Sequence, residues 1–172
     1  IPALIELRRI LGTEKIDYAD VAFKSQELDR IILACAGVYV EAIAPVYSVA
    51  PGEDIEVVFS FIKRSDYPVT YSVDANNDQS TSMEVAEQNK MYENKLTLKA
   101  PDAYSTPYWL DKAYFGVFQV ENPNDIGKPE SDPAMCVWAN IEIDGHDFRI
   151  MVPVEYKWTD RVRGGLYRPV HV

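Results

Sequence analysis

The sequence of 172 residues holds two histidines, two cysteines and no apolar run of about 18 residues, and each scarcity removes a class of function. With His146 and His171 alone, a Ser-His-Asp triad or a histidine-ligated metal must recruit a histidine from a predicted turn or one next to the last position. Neither His-Glu-x-x-His nor a paired-cysteine spacing occurs, and Gly-x-Ser-x-Gly, Gly-x-Gly-x-x-Gly and Walker-type loops are missing as well. Cys35 and Cys136 are too few for a disulfide framework and too far apart in sequence for a zinc knuckle, so they read as buried thiols. Basic residues are also short: 17 Lys and Arg against 27 Asp and Glu leave a net charge of −10. That balance provides no basic surface to neutralise a nucleic-acid backbone and disfavours an anionic membrane. No basic stretch leads into an apolar block as in a signal peptide, but the chain begins at Ile1, so this says nothing of the parent protein.

What is present is β pattern. Asp144-Gly145 favours the positive φ values of a type I′ turn, and the residues around it set a register by arithmetic. With Ile143 opposite His146, the facing pairs become Ile141 with Phe148, Ala139 with Ile150, Val137 with Val152 and Met135 with Val154. All of these lie on one face, while Glu142, Asn140, Asp147 and Arg149 take the wetter one. Further strands are expected at 38–44, 54–63, 68–75, 91–100 and 114–120, separated by turn signals such as Pro51-Gly52 and Ser65-Asp66. Before Gly37 the period is helical instead. Pro2 suits a first helical turn and Leu4, Leu7 and Leu11 follow at spacings of three and four. A second helix fits 25–36, with Ser25 as N-cap, a stripe of Leu28, Ile31, Ile32 and Cys35, and Gly37 as the stop. Residues 17–24 show no clean period and read as loop or frayed helix, while 76–84 and 122–133 read as surface loops.

The expected fold is therefore mainly β: an immunoglobulin-like sandwich of about seven strands at 38–158, preceded by a helical segment at 1–37 and followed by a connector at 159–172. Chemistry is harder to find. Carboxylates are plentiful, and a glycosidase needs only two across a cleft, yet nothing singles out a pair. Oxygen ligands cluster at Asp74–Asp78 and around Asp125 and Asp132, which suits calcium, although the EF-hand spacing is missing and solvation is the ordinary role. The aromatic cluster Tyr104, Tyr108, Trp109, Tyr114 and Phe115 offers flat surfaces for sugar rings, with packing between sheets as the competing explanation.

Four short stretches, in order, carry a resemblance: Ser105-Thr106-Pro107-Tyr108-Trp109-Leu110, Asp125-Ile126-Gly127-Lys128-Pro129, Val154-Glu155-Tyr156-Lys157-Trp158-Thr159-Asp160 and Gly165-Leu166-Tyr167-Arg168-Pro169. Together with Glu27-Leu28, Ala34-Cys35-Ala36-Gly37 and Val49-Ala50-Pro51-Gly52-Glu53, they resemble the region downstream of the catalytic domain in large bacterial deacetylases of the PIG-L (LmbE-like) family. Enzymes of that family use a zinc held by an Ala-His-Pro-Asp-Asp motif to remove N-acetyl groups from glucosamine-type sugars. The motif is absent here, so no catalytic residue carries over. The resemblance implies a non-catalytic accessory module of a larger secreted, sugar-processing protein, periplasmic or extracellular, without a cofactor and with neighbouring domains of the same chain as partners. The alternative is a carbohydrate-binding module that holds glycan on Tyr108 and Trp109.

Overall fold

The computed structural model describes residues 1–13, 19–75 and 79–172. The protein is mainly β with two N-terminal helices, α1 (Pro2–Thr13) and α2 (Ala19–Cys35). The strands are β1 (Val38–Ala44), β2 (Asp54–Lys63), β3 (Val69–Ala75), β4 (Gln79–Ser80), β5 (Glu84–Val85), β6 (Met91–Lys99), β7 (Cys136–Ile143), β8 (His146–Asp160) and β9 (Gly164–Pro169). Among the described residues no helix is long and apolar enough to cross a membrane.

The hairpin forms in the register expected from the sequence. Ile143 faces His146, and Ile141, Ala139 and Val137 face Phe148, Ile150 and Val152. Val154 extends the ladder by donating its N–H to the Met135 carbonyl at 3.0 Å. At the turn, Asp144 and Gly145 take φ values of 54° and 74°, the left-handed pair that a type I′ turn requires. The facing residues Val137, Ala139, Ile141, Phe148 and Val152 are all buried, so the alternation does point one face at a core.

β8 is longer than its local pattern suggests, and its length organises the sheet. Its first half pairs antiparallel with β7 as far as Pro153. Proline has no N–H to give a ladder, and here it marks the place where β8 leaves β7. From Val154 onward the strand lies parallel to β1, and from Glu155 to Asp160 it pairs with β9 on its other side. The pairing path β4-β3-β7-β8-β1-β2-β6 is thus continuous, and it curls until β2 faces β3. The Phe61 ring stacks on Tyr71 with centroids 4.0 Å apart and planes 5° off parallel, and Phe59 lies 6.5 Å from the same ring. Tyr92 on β6 meets Tyr71 edge-on at 5.5 Å, closing that edge of the core.

The helices belong to this core. Ile5 of α1 and Leu28, Ile32 and Leu33 of α2 are buried in one cluster with the inward strand residues. Arg8 ties both helices to the sheet: its Nε donates to Asp29 at 2.6 Å, and its guanidinium sits 4.6 Å above the Phe148 ring. Neither helix is long enough to be stable alone, so this packing is what holds them. Gly37, with φ +68°, ends the helical segment as expected, and a Cβ there would lie 2.8 Å from the Ser65 nitrogen.

Several expectations are corrected. Residues 114–120 form no strand; they are bends and irregular chain, with Gly116 at φ +88° and Tyr114, Phe115, Val117 and Phe118 exposed. An apolar run mimicked a strand, but it found no pairing partner. Ser25 is not an N-cap, because α2 begins at Ala19 and runs through it. Ile31 and Cys35 face solvent, and Leu33 and Ala36 take their places in the core. Of the loop expected over 76–84, residues 79–80 and 84–85 pair with β3, and 76–78 lie outside the described residues. Residues 14–18, part of the stretch before Ser25, lie outside them too. Within the segment expected as a connector, Gly164–Pro169 forms β9.

Candidate functional site

A cleft of about 760 Å³ opens among three of the four stretches behind the family resemblance, those at 105–110, 154–160 and 165–169. Its walls come from Pro101, Ala103–Pro107, Trp109 and residues 130–134, from β8 at Met151, Pro153 and Glu155, from Pro169–His171 and from Arg30 of α2. Chain segments remote in sequence are joined here by hydrogen bonds. The Ser105 N–H donates to the Val172 carbonyl at 2.9 Å, and the Val172 N–H returns to Ser105 Oγ at 3.2 Å. The Tyr108 N–H donates to Ser131 Oγ at 2.7 Å, and Ser131 Oγ donates to the Thr106 carbonyl at 3.3 Å. Across the 122–133 loop, Lys128 Nζ pairs with Asp125 at 2.7 Å and with Asp132 at 3.1 Å.

Five prolines, Pro101, Pro107, Pro133, Pro153 and Pro169, lie in the wall. Each fixes its own φ and lacks an N–H; Pro153 and Pro169 sit in β8 and β9, while Pro101, Pro107 and Pro133 stiffen irregular backbone that has no strand ladder. A wall of that kind loses little conformational entropy when a ligand enters, which favours binding over induced ordering.

The two residues singled out from the sequence divide here. Trp109 lines the cleft and is half-buried, packed edge-on against Tyr108 with ring centroids 4.9 Å apart. Tyr108 is not part of the lining; its hydroxyl donates to the Lys128 carbonyl at 3.0 Å, so it braces the Trp109 ring from behind. Tyr104, by contrast, lines the cleft and is 74% exposed. Leu110 N–H donates to the Pro107 carbonyl at 2.8 Å in a short 3-10 turn over Tyr108–Leu110, which fixes where the indole points.

The charged groups of the lining are Glu130, Asp132, Glu155 and Arg30, with His171 beside them. Glu155 is half-buried, and burial followed by repulsion from Glu41 pushes its carboxyl above the ordinary range. Glu41 itself is engaged on the outer face of the sheet. It accepts from Lys157 Nζ at 3.0 Å, Tyr39 hydroxyl at 3.0 Å and Tyr167 hydroxyl at 3.4 Å, a network that clamps β1, β8 and β9 together. The hydrogen bond to Tyr167, and then Glu41, hold the Lys157 ammonium well above its usual range.

His171 is not a frayed end. Its backbone N–H donates to Tyr47 at 3.1 Å and its carbonyl accepts from Val49 at 3.0 Å, while Nδ1 lies 3.4 Å from Ser105 Oγ. His146 sits exposed beside the hairpin turn, as expected. The calcium expectations do not assemble into a site. Asp125 and Asp132 share the Lys128 ammonium, Asp74 accepts from Ser80 and Asn140, and 76–78 lie outside the described residues. Among the described residues no group of three or more His, Cys, Asp and Glu is placed to hold a metal. Cys35 and Cys136 are both free; Cys136 is half-buried, and burial pushes its thiol above the usual range, which makes it a poor nucleophile.

Sequence reasoning missed the part of the site that β8 and Arg30 supply. Glu155 stood in a strand with nothing to mark it as facing a cleft, because the wall opposite it comes from loops remote in sequence.

No family model matches the chain, and no curated protein matches it. Among solved structures, the chain is similar to the alkylpurine DNA glycosylase AlkC of Pseudomonas fluorescens bound to DNA with an abasic site analog, at 9% identity and a TM-score of 0.29. It is also similar to the sporulation control protein Spo0M of Bacillus subtilis, at 12% identity and a TM-score of 0.29. The alignments cover 86% and 69% of this chain and 41% and 49% of those chains, so the protein spans less than half the length of either.

Proposed function

We propose that this chain is a non-catalytic accessory module that holds a saccharide in the cleft beside Trp109, within a larger secreted sugar-processing protein. The observation that carries the reading is the combination of aromatic surface and polar groups in one proline-stiffened cleft. Trp109 and Tyr104 supply flat apolar faces, and Ser105, Thr106, Glu130, Ser131 and Asp132 supply hydroxyls and carboxylates around them. A saccharide asks for that mixture, with an apolar ring face over an aromatic and hydroxyls paired in the plane. The sugar-processing setting, of the PIG-L type, is supported by the short collinear motifs, three of which contribute to the lining through Ser105, Trp109, Glu155 and Pro169. An immunoglobulin-like sandwich is the architecture we assign to such a module. Its support is the face-to-face packing of Phe59 and Phe61 on Tyr71, with β8 serving both limbs of the curled sheet.

A purely structural role has its own support in Tyr108, whose hydroxyl is used for bracing. The experiment that separates the two is retention of the chain on a panel of immobilised polysaccharides, with Trp109→Ala and Tyr108→Phe alongside. Removing the indole should weaken retention about tenfold or more and lower Tm by a few degrees, because half of the ring and one aromatic contact are lost. Tyr108→Phe should leave retention within about twofold. Retention that survives in a folded Trp109→Ala variant, or that never occurs, overturns the saccharide reading and leaves the scaffold.

A further inference from the structure

We infer that the saccharide held in this cleft carries a protonated amine, and that Glu155 is the group that receives it. The inference rests on the saccharide reading above and specifies the chemistry of its ligand. Three carboxylates, Glu130, Asp132 and Glu155, line the cleft against one guanidinium, Arg30, and the His171 ring. They are not equivalent. Asp132 already pairs with Lys128, and Glu130 stands exposed at the rim where water solvates it. Glu155 is different in both respects: it is half-buried, and among the described residues no cation lies within ion-pair distance of it.

Lys157, two residues further along the same strand, is turned to Glu41. Glu155 is thus a carboxylate deprived of water on one side and of a counter-charge on the other, on a strand held by parallel and antiparallel neighbours. Burial first, and then repulsion from Glu41, raise its carboxyl, and a cation brought into the cleft would counter both by favouring the ionised form. A sugar acid or sulfate ester would add like charge to a predominantly acidic wall. A neutral sugar would offer Glu155 hydroxyl donors but no counter-charge, and a charge-assisted bond to an ammonium is the stronger of the two. An ammonium on a ring stacked at Trp109 adds no like charge and supplies that bond. The amino group of a de-acylated amino sugar has this character, while the same sugar with its nitrogen acylated does not.

The test is a calorimetric titration of the whole chain with three ligands of one backbone at mildly acidic pH: a β-1,4-linked glucosamine trimer, its fully N-acetylated form, and cellotriose. They differ at the C2 substituent alone. The glucosamine trimer should bind about tenfold or more tightly than the other two, the margin of one charge-assisted hydrogen bond. Glu155→Gln should bring all three within about twofold, Glu130→Gln should keep most of the preference, and Trp109→Ala should weaken all three. Cooperative melting curves with a Tm no lower than that of the wild type establish that the two Gln variants are folded. Equal affinity for the three sugars, preference for the N-acetylated form, or a preference that survives Glu155→Gln overturns the inference while leaving a saccharide site in place. Absence of binding by all three to the folded wild-type chain removes the saccharide reading itself.

Discussion

The stack of Phe61 on Tyr71 joins the two limbs of the curled sheet, and a double-mutant cycle measures how much that closure contributes. Both side chains are buried almost completely, at 0% and 1% exposure. Replacing either ring by Leu keeps the site apolar and most of the volume, yet removes ring area and the near-parallel contact at 4.0 Å. Each single change should cost about 1–2 kcal/mol, from lost burial plus a partly relaxed cavity. Tyr71 adds little through its hydroxyl, whose contact with Asn94 Oδ1 is long at 3.5 Å. The specific ring-on-ring term belongs to the pair, about 0.5–1.5 kcal/mol for stacked aromatics, and the first substitution removes it in full. The double variant should therefore lose about 0.5–1.5 kcal/mol less than the sum of the two singles. Urea unfolding followed by tryptophan fluorescence reads this as midpoint shifts at constant slope, and each kcal/mol corresponds to about 2–4 °C of Tm for a chain of this size. Strict additivity, or singles that each cost less than about 0.5 kcal/mol, would refute the contact and with it the curl that brings β2 against β3.

At the end of the helical segment, Gly37→Ala should destabilise by about 1–3 kcal/mol, because φ is +68° and the new Cβ would meet the Ser65 nitrogen at 2.8 Å. Gly12→Ala, inside α1 with open space around it, should instead stabilise by about 0.5–1 kcal/mol, and a pair of thermal melts distinguishes the two. Glu155→Gln should raise Tm near neutral pH and change little at about pH 4. The folded carboxyl has a raised pKa, so the native state binds the proton more tightly than the unfolded one. Its burial is then harmless below the ordinary value of 4.5 and becomes costly as pH climbs through the raised one, a cost the neutral amide never meets. A Tm difference independent of pH would show that Glu155 is not burdened by its charge.

The parts of the fold legible in the sequence were those fixed by neighbours in the chain. Asp144-Gly145 and the alternation on both sides of it determine a register without reference to anything else, and Ile141 does face Phe148. The same logic fails where the deciding partner is far away. Tyr114 to Phe118 has the composition of a strand, but a strand needs an edge to join, and this run remains on the surface. β9 was unreadable for the opposite reason: Gly164-Gly165 suppresses any strand propensity, and the segment is extended because the far end of β8 offers it a free edge. The cleft shows the same limit at the level of function. Trp109 was visible as one of a cluster of aromatics, whereas Glu155 and Arg30 join the same cleft through tertiary packing alone.

The position of β8 between β7 and β1 also governs how the molecule comes into being. Ala42 must align beside Val154, and that parallel contact spans most of the chain. Closing so large a loop is entropically slow, while the β1–β2 and β7–β8 hairpins can zip up locally. The two hairpins should consequently precede the curl in time. Until β8 arrives, the side of β1 that will receive it presents unpaired amides and carbonyls. Overexpression or heat shock would find the chain most prone to aggregate in that interval, through a strand that the finished protein keeps covered.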